Sequence, residues 1–271
     1  RSFCQDDAHI FCTPDQMRAE ISSFLRLLFE VYAAFKFAKV DIKLATRPEK
    51  RIGSEAQWDA AETSLAEALK QANLPFEIAE GEGAFYGPKL EFHIEDALRR
   101  SWQLGTMQVD YAMPDRFELE YTGQDGAAHR PVMLHRAILG SLERFFSVYV
   151  EHTAGAFPVW LAPEQAVIIT VSEKQNAYAE EVVSFLAQRG LRARADLSSD
   201  KLGAKKRTAR LMRVPYIVVV GDREAQERKV APWSREQNAD LGPIPLEAFA
   251  DRLLAEAVPP RLKTKADAAT P

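Results

Sequence analysis

The chain has 271 residues, 46% of them hydrophobic and 27% charged, and a formal charge of −4, an ordinary globular composition with room for about two domains. It holds no apolar run of roughly 18 residues, so no membrane span is expected, and Arg1-Ser2-Phe3-Cys4 opens nothing like a secretory signal. Two cysteines, Cys4 and Cys12, are a poor disulfide framework, so a reducing, cytoplasmic setting is expected.

Residues 3–12 alternate as a strand, with Gln5, Asp7 and His9 on one face and Ala8, Ile10 and Cys12 on the other. Thr13, Pro14 and Gln16 read as a helix start with a capping box. Met17, Ile21, Leu25, Leu28, Tyr32 and Phe35 then recur at helical spacing. Val40, Ile42 and Leu44 alternate as a strand, and Trp58, Leu65, Leu69 and Ala72 mark a second amphipathic helix. Strand signals dominate from Phe76 to Leu134, broken by glycines. VMLHRAILGSLERFFSVYVE (Val132 to Glu151) passes from strand into helix, with Ile138, Leu142, Phe145 and Tyr149 as its expected buried stripe.

FPVWLAP (Phe157 to Pro163) reads as a domain boundary. Beyond it, Val167 to Val171 and Tyr216 to Asp222 are central strands, with a short strand through Arg192 and Arg194. Helices are expected at about 176–189, 201–213 and 246–258. Strands alternating with helices imply an α/β layer domain. Between Arg189 and Arg213, nine Lys/Arg stand against Asp196 and Asp200. Such a segment suits a polyanion contact or a plain solvated helix face.

Four polar patches fall on the first predicted sheet. Gln5, Asp7 and His9 project side by side, an arrangement a merely solvated face would also show. His135 stands where a strand turns into a helix, with Ser141 and Arg144 on one helical face after it. Gly81-Glu82-Gly83 and Gly87 flank Phe85-Tyr86, letting the backbone approach a ligand, and Lys89 follows with its ammonium available to a carboxylate or phosphate. Thr106, Gln108 and Asp110 share a third face. Together they argue for a binding cavity over an antiparallel floor. Two histidines at its edges allow a metal site, although zinc takes three or four protein ligands, and both cysteines lie on the strand face away from His9.

Taken together, these stretches resemble threonyl-tRNA synthetases, a family of class II aminoacyl-tRNA synthetases. QDDAHIFC is similar to the second half of motif 2, GEGAFYGPK to the threonine-specific loop, and RPVMLHRAILGSLERF to motif 3. FPVWLAPEQ resembles the junction to the anticodon-binding domain, which VPYIVVVGDRE and Asp240-Leu241-Gly242 fit. The resemblance implies an α+β antiparallel-sheet catalytic domain, in part, at 1–162, an α/β anticodon-binding domain with a mixed sheet at 163–260, and a flexible tail at 261–271. It implies a threonine–tRNA ligase acting on L-threonine, ATP and tRNA(Thr), homodimeric at full length. His9 and His135 would be ligands of a catalytic Zn2+ whose third ligand, a cysteine, lies upstream of Arg1. Asp7 would accept from the threonine hydroxyl, Gln5 and Tyr86 would line the amino-acid pocket, and Lys89 would meet the reacting carboxylate. Gln103, Thr106, Gln108, Ser141 and Arg144 would surround ATP and its Mg2+, with Arg144 on the phosphates. In the second domain, Lys206, Arg210 and Arg213 would contact tRNA phosphates and Glu224 would read an anticodon base.

Three departures accompany the resemblance. Motif 1 and the first half of motif 2 are missing, so the piece alone is expected to be inactive. Trp233 stands where the family carries a base-reading arginine, and could substitute in part by stacking. Met113 and Phe117 replace aliphatic residues behind Tyr86, where their bulk would reshape a side cavity and suit a specialised, inhibitor-resistant copy. The alternative reading is a non-catalytic or specialised relative that binds tRNA or an amino acid.

Overall fold

The computed structural model describes residues 2–260, and the expected tail at 261–271 lies outside the described residues. Two compact units meet between His152 and Thr153.

The first contains β1 (Ala8–Cys12), α1 (Pro14–Ala34), β2 (Asp41–Ala45), α2 (Glu55–Gln71), β3 (Glu77–Ala79), β4 (Lys89–Glu95), β5 (Ser101–Asp110), α3 (Ala112–Arg116), the small hairpin β6 (Tyr121–Thr122) and β7 (Ala128–His129), β8 (Val132–Ala137) and α4 (Leu142–Thr153). Six strands form one sheet in the order β1-β8-β5-β4-β2-β3. Its pairs are antiparallel except β2 with β3, which is parallel. The expected antiparallel sheet thus gains one parallel pair at its edge, because a strand reached through a helical crossover, here α2, returns in the same direction.

The predicted cap of α1 forms in part, as the Gln16 side chain accepts from the Thr13 N–H at 3.0 Å. α1 buries Met17, Ile21, Phe24, Leu25, Leu28 and Tyr32. Phe35 is its C-cap rather than part of its stripe, and Lys36 follows at φ 61°, which ends the helix. α2 is capped at Ser54, whose N–H donates to Gln57 at 2.8 Å, and buries Trp58, Leu65 and Leu69. α1 packs on α2 and on β8, while α2 packs on β2 and β4. They bury Leu90, Phe92, Met107, Val109 and Leu134 completely, with Phe24 meeting Phe92 edge-on at 5.9 Å. The residues between these, Lys89, Glu91, Gln108 and His135, point to the other face of the sheet. In α4 the expected stripe changes. Residues 138–140 form a turn, which breaks the helical phase, so Leu142 is 40% exposed while Val148 joins Phe145 and Tyr149 in the core.

One irregularity shapes the polar face. The β4–β5 ladder pairs Glu91 with Thr106 and Phe92 with Gly105, then His93 with Gln103, leaving Leu104 as an extra residue. This β-bulge shifts the two-residue repeat and puts Gln103 on the same face as Thr106. Nearby, the buried Tyr32 hydroxyl donates to the Ile138 carbonyl at 2.8 Å and accepts from the Gly105 N–H at 3.0 Å. It ties α1, β5 and the turn before α4 together, and its burial pushes the phenol well above its ordinary pKa.

The second unit contains β9 (Ala166–Thr170), α5 (Asn176–Ala187), β10 (Ala193–Asp196), α6 (Leu202–Leu211), β11 (Tyr216–Val220), α7 (Asp222–Glu227), β12 (Lys229–Ser234), β13 (Ala239–Asp240), β14 (Ile244–Pro245) and α8 (Leu246–Ala257). Its sheet runs β10-β9-β11-β12-β13, with β14 also on β12. The first three strands are parallel and β12 is antiparallel. β9 is buried throughout, because Ile168 faces a core with Leu186 and Leu253 while Val167 and Ile169 face one with Ala209 and Val214. The FPVWLAP stretch packs here: Val159 enters this core, and the buried Gln165 amide donates to the Val159 carbonyl at 3.0 Å. Among the described residues no helix is long and apolar enough to cross a membrane.

The Tyr32 hydroxyl serves two buried backbone groups, so Tyr32→Phe leaves both without it. The substitution is expected to cost about 1–3 kcal/mol, read as a lower urea midpoint at an unchanged m-value.

Candidate functional site

A cavity of about 320 Å³ opens on the polar face of the first sheet, lined by Gln5, Asp7, His9, Tyr86, Gln103, Thr106, Gln108, His135, Ser141 and Arg144. Strand pairing aligns part of this set in one row: His9 opposite His135, His135 opposite Gln108, and Gln108 opposite Lys89. In the adjoining row Ala137 stands opposite Thr106, and its small side chain leaves the space the cavity fills. The bulge brings in Gln103, whose amide donates to the Thr106 hydroxyl at 2.9 Å.

The two imidazoles meet edge-to-face with centroids 4.8 Å apart. His135 Nε2 lies 2.8 Å from Asp110 Oδ2. Asp110 is fully buried, and its other oxygen accepts the N–H groups of Ala112 and Met113 at 2.7 and 2.9 Å. A carboxylate held this way fixes the orientation of the ring it contacts. Tyr86 donates to Gln108 Oε1 at 2.6 Å and tilts against His135 at 5.6 Å. Burial, then the Asp110 and Asp7 charges, push the Tyr86 phenol above its ordinary pKa, so it stays a neutral donor.

The donor chemistry fits two positions of a zinc site: adjacent imidazoles, one oriented by a buried carboxylate. A third protein donor does not join them, and among the described residues no group of three or more His, Cys, Asp or Glu is arranged to hold a metal ion.

Towards the start of β5, Arg144 donates to the Gln103 carbonyl at 3.2 Å and lies over the Trp102 ring at 6.0 Å. The Ser141 hydroxyl accepts from the Arg144 N–H at 3.3 Å, capping α4. The cavity is therefore electrically polar along β5, with Asp7 and Asp110 towards one end and Arg144 towards the other. Lys89 is not among the lining residues. Its ammonium pairs with Glu91 at 2.7 Å, while the other Glu91 oxygen lies 3.0 Å from His93 Nε2.

Sequence reasoning assigned no role to three of these groups. Asp110 was placed with Thr106 and Gln108, and the Ala-Met stretch after it carries the local signal of a carboxylate capping a turn. Glu91 repeats at two-residue spacing between Lys89 and His93. Asp6 sits on the strand's other face, yet its carboxylate accepts from the Ile138, Leu139 and Gly140 N–H groups at 3.0, 3.0 and 2.8 Å. Met113 and Phe117 do not line the narrow cavity behind Tyr86, which is bounded by Trp58, Val109, Tyr111 and Ala112, among others. Phe117, the C-cap that follows α3, is 70% exposed.

In the second unit, α6 carries Lys206 and Arg210 but stops at Leu211, so Arg213, at φ 57°, lies beyond the helix expected to hold it. Lys205 is turned inward and donates to Thr170 Oγ1 and the Asp196 carbonyl, both at 3.1 Å. Arg192 and Arg194 are likewise engaged, with the Ala162 and Trp160 carbonyls and with Glu164. The Arg210 guanidinium stacks on Trp233 at 4.6 Å, covering one face of the indole. Glu224 Oε2 accepts from the Gly221 N–H at 2.9 Å, capping α7.

Residues 1–153 match a family model described as the tRNA synthetase class II core domain (G, H, P, S and T), and residues 165–256 match an anticodon-binding domain. The chain superposes on a structure described as the RNA-binding domain of threonyl-tRNA synthetase from Cryptosporidium parvum Iowa II, with a TM-score of 0.88 and 38% identity over 98% of the chain. A putative threonyl-tRNA synthetase from Aeropyrum pernix gives 0.79 and 27% over 97%. The chain spans 66% of each of those two proteins. Prolyl-tRNA synthetase from Cryptosporidium parvum, at 19% identity and a TM-score of 0.61 over 93% of the chain and 51% of its own, shares the fold.

The hydrogen bond from His93, then that from Lys89, lowers the Glu91 pKa from 4.5 to about 2. A folded-state pKa below the unfolded value stabilises above the unfolded pKa and loses that stabilisation as pH falls through the folded one. The stability gap between wild type and Glu91→Gln is therefore expected to be full at pH 7, on the order of 2–3 kcal/mol, and to close between pH 4.5 and about 2. Urea titrations across that range measure it.

Proposed function

The chain belongs to the class II aminoacyl-tRNA synthetases, and we propose that within that family it serves a threonine–tRNA ligase, which activates L-threonine with ATP and transfers it to tRNA(Thr). The observation that carries this reading is His9 beside His135 on the cavity floor, with Asp7 on the same strand face. Threonine and valine have nearly the same shape, so a pocket that recognises shape alone separates them poorly. A site built around the hydroxyl rejects its absence strongly. A carboxylate and two imidazoles are polar groups of the kind such a site requires.

Asp7 accepts a hydrogen bond from the threonine hydroxyl, and Gln5 and the neutral Tyr86 bound the amino-acid pocket. Zn2+ held by His9 and His135 would supply a Lewis-acid centre for the amino and hydroxyl groups. Gln103, Thr106, Gln108 and Ser141 hold the nucleotide. A threonine carboxylate oxygen attacks the α-phosphorus in line, the bond to the bridging oxygen breaks, and pyrophosphate leaves. This step needs positioning and charge neutralisation more than a covalent catalyst. Arg144 and the Mg2+ that accompanies ATP meet the phosphate charge. Lys89, paired with Glu91 and outside the cavity lining, meets the carboxylate by sharing its ammonium between the two. In the second unit, Lys206, Arg210 and Arg213 meet tRNA phosphates. Trp233 offers a base only the indole face that Arg210 leaves open, and Glu224 must share its carboxylate with the α7 cap to read one. The full-length protein acts as a homodimer in the cytoplasm.

The full-length protein is expected to catalyse threonine-dependent ATP–pyrophosphate exchange, with valine poorer by roughly 10⁴-fold. No exchange at saturating zinc would favour a relative that only binds tRNA or the amino acid. His135→Ala is expected to lower the zinc content by elemental analysis; unchanged zinc would remove His135 from the ligand set.

A further inference from the structure

Asp6 has no part in the roles above, yet it stands between two cavity-lining residues, Gln5 and Asp7, and its carboxylate is fully engaged. Three consecutive N–H groups, from Ile138, Leu139 and Gly140, converge on its carboxylate. Charge-assisted hydrogen bonds of this kind are about twice as strong as neutral ones. The turn is pressed from the opposite side as well. Gly140 has φ 67°, and a Cβ there would stand 2.5 Å from the Leu104 carbonyl oxygen, at the β5 bulge. Further bonds tie the same segments together: the Leu142 N–H donates to the Cys4 carbonyl at 2.9 Å, and the Cys4 N–H donates to the Glu143 carboxylate at 3.0 Å. Gln5 bridges to Ser141. Asp7 follows Asp6 directly, and Ser141 follows the turn directly.

We propose that Asp6 is a positioning residue whose carboxylate sets the spacing between Asp7, on the amino-acid side of the cavity, and Ser141 and Arg144, on the nucleotide side. The proposal rests on the ligase reading. If the two substrates must meet in line, a displaced turn leaves each half of the site intact and spoils their alignment. A purely structural cap would instead lower the melting temperature and leave the kinetics of the folded enzyme unchanged.

The test uses the full-length protein and Asp6→Asn, which keeps the side chain's shape but turns an amide NH2 towards N–H donors. Pyrophosphate exchange is measured well below the melting temperature, together with hydrogen exchange of the 138–140 amides. The expected result is a kcat lower by about 100-fold, an unchanged KM for threonine, and faster amide exchange at 138–140. Gly140→Ala displaces the same turn from the Leu104 side and is expected to give the same kinetic pattern; it carries the test should Asp6→Asn fail to fold. Wild-type kcat in either folded variant overturns the proposal and leaves the ligase reading standing. A wild-type enzyme without exchange overturns both.

Discussion

The antiparallel register of β1 on β8, and of β8 on β5, is the constraint on which the site depends. It sets His9, His135, Gln108 and Lys89 in one row across four strands. A slip of one residue in any of these ladders would turn that strand's polar side chains towards α1 and α2 and its apolar ones into the cavity. The apolar half of the alternation resists such a slip, since Leu90, Met107, Val109 and Leu134 are fully buried. Burial on the helix side thus holds the chemistry on the other side in place.

A polar face walled into a cavity has to satisfy its own groups, and this one does so through fixed pairs. Asp110 serves His135 and two backbone amides, Gln108 accepts from Tyr86, Glu91 holds Lys89 and His93, and Gln103 bonds Thr106. His135, Tyr86, Gln108, Gln103 and Thr106, which line the cavity, are therefore oriented by a neighbour before any ligand arrives. Such preorganisation lowers the cost of aligning two substrates. Tyr32 contributes from beneath, joining α1 to Gly105 and Ile138, the same two regions that carry Gln103 and the turn before Ser141.

Elements with strong local signals were legible in the sequence. The Thr13-Pro14-Gln16 start and the apolar repeat of α1 required no tertiary information, and the alternation at residues 3–12 grouped Gln5, Asp7 and His9, all of which line the cavity. The polar patches suggest His9 and His135 at the edges of one cavity, but their convergence on a shared ion follows only from the long motifs that resemble a known family, since nothing local pairs residues so distant along the chain. What stayed hidden was tertiary. The helical repeat runs on through residues 138–140, where a turn interrupts it, so it assigns Leu142 to the core. Phe35 continued a repeat that backbone geometry stops at Lys36. Lys205 looked like one more exposed cation of a basic helix until Thr170 and the Asp196 carbonyl claimed it. Asp6 was invisible because its partners are backbone amides far along the chain, which leave no mark in side-chain patterning.

The extra residue at Leu104 has a consequence for how this sheet can vary. A strand obeying a strict two-step repeat can slide past its neighbour by a dipeptide and show the same faces, so its ends are interchangeable. β5 cannot, because its two halves are out of phase about a fixed pivot. Losing one residue there would restore the rhythm and swing the segment carrying Gln103 to the wrong side, whereas a loss at the β4–β5 connection would spare the phase. Length changes should therefore be tolerated at the hairpin ends of this ribbon and excluded from its middle.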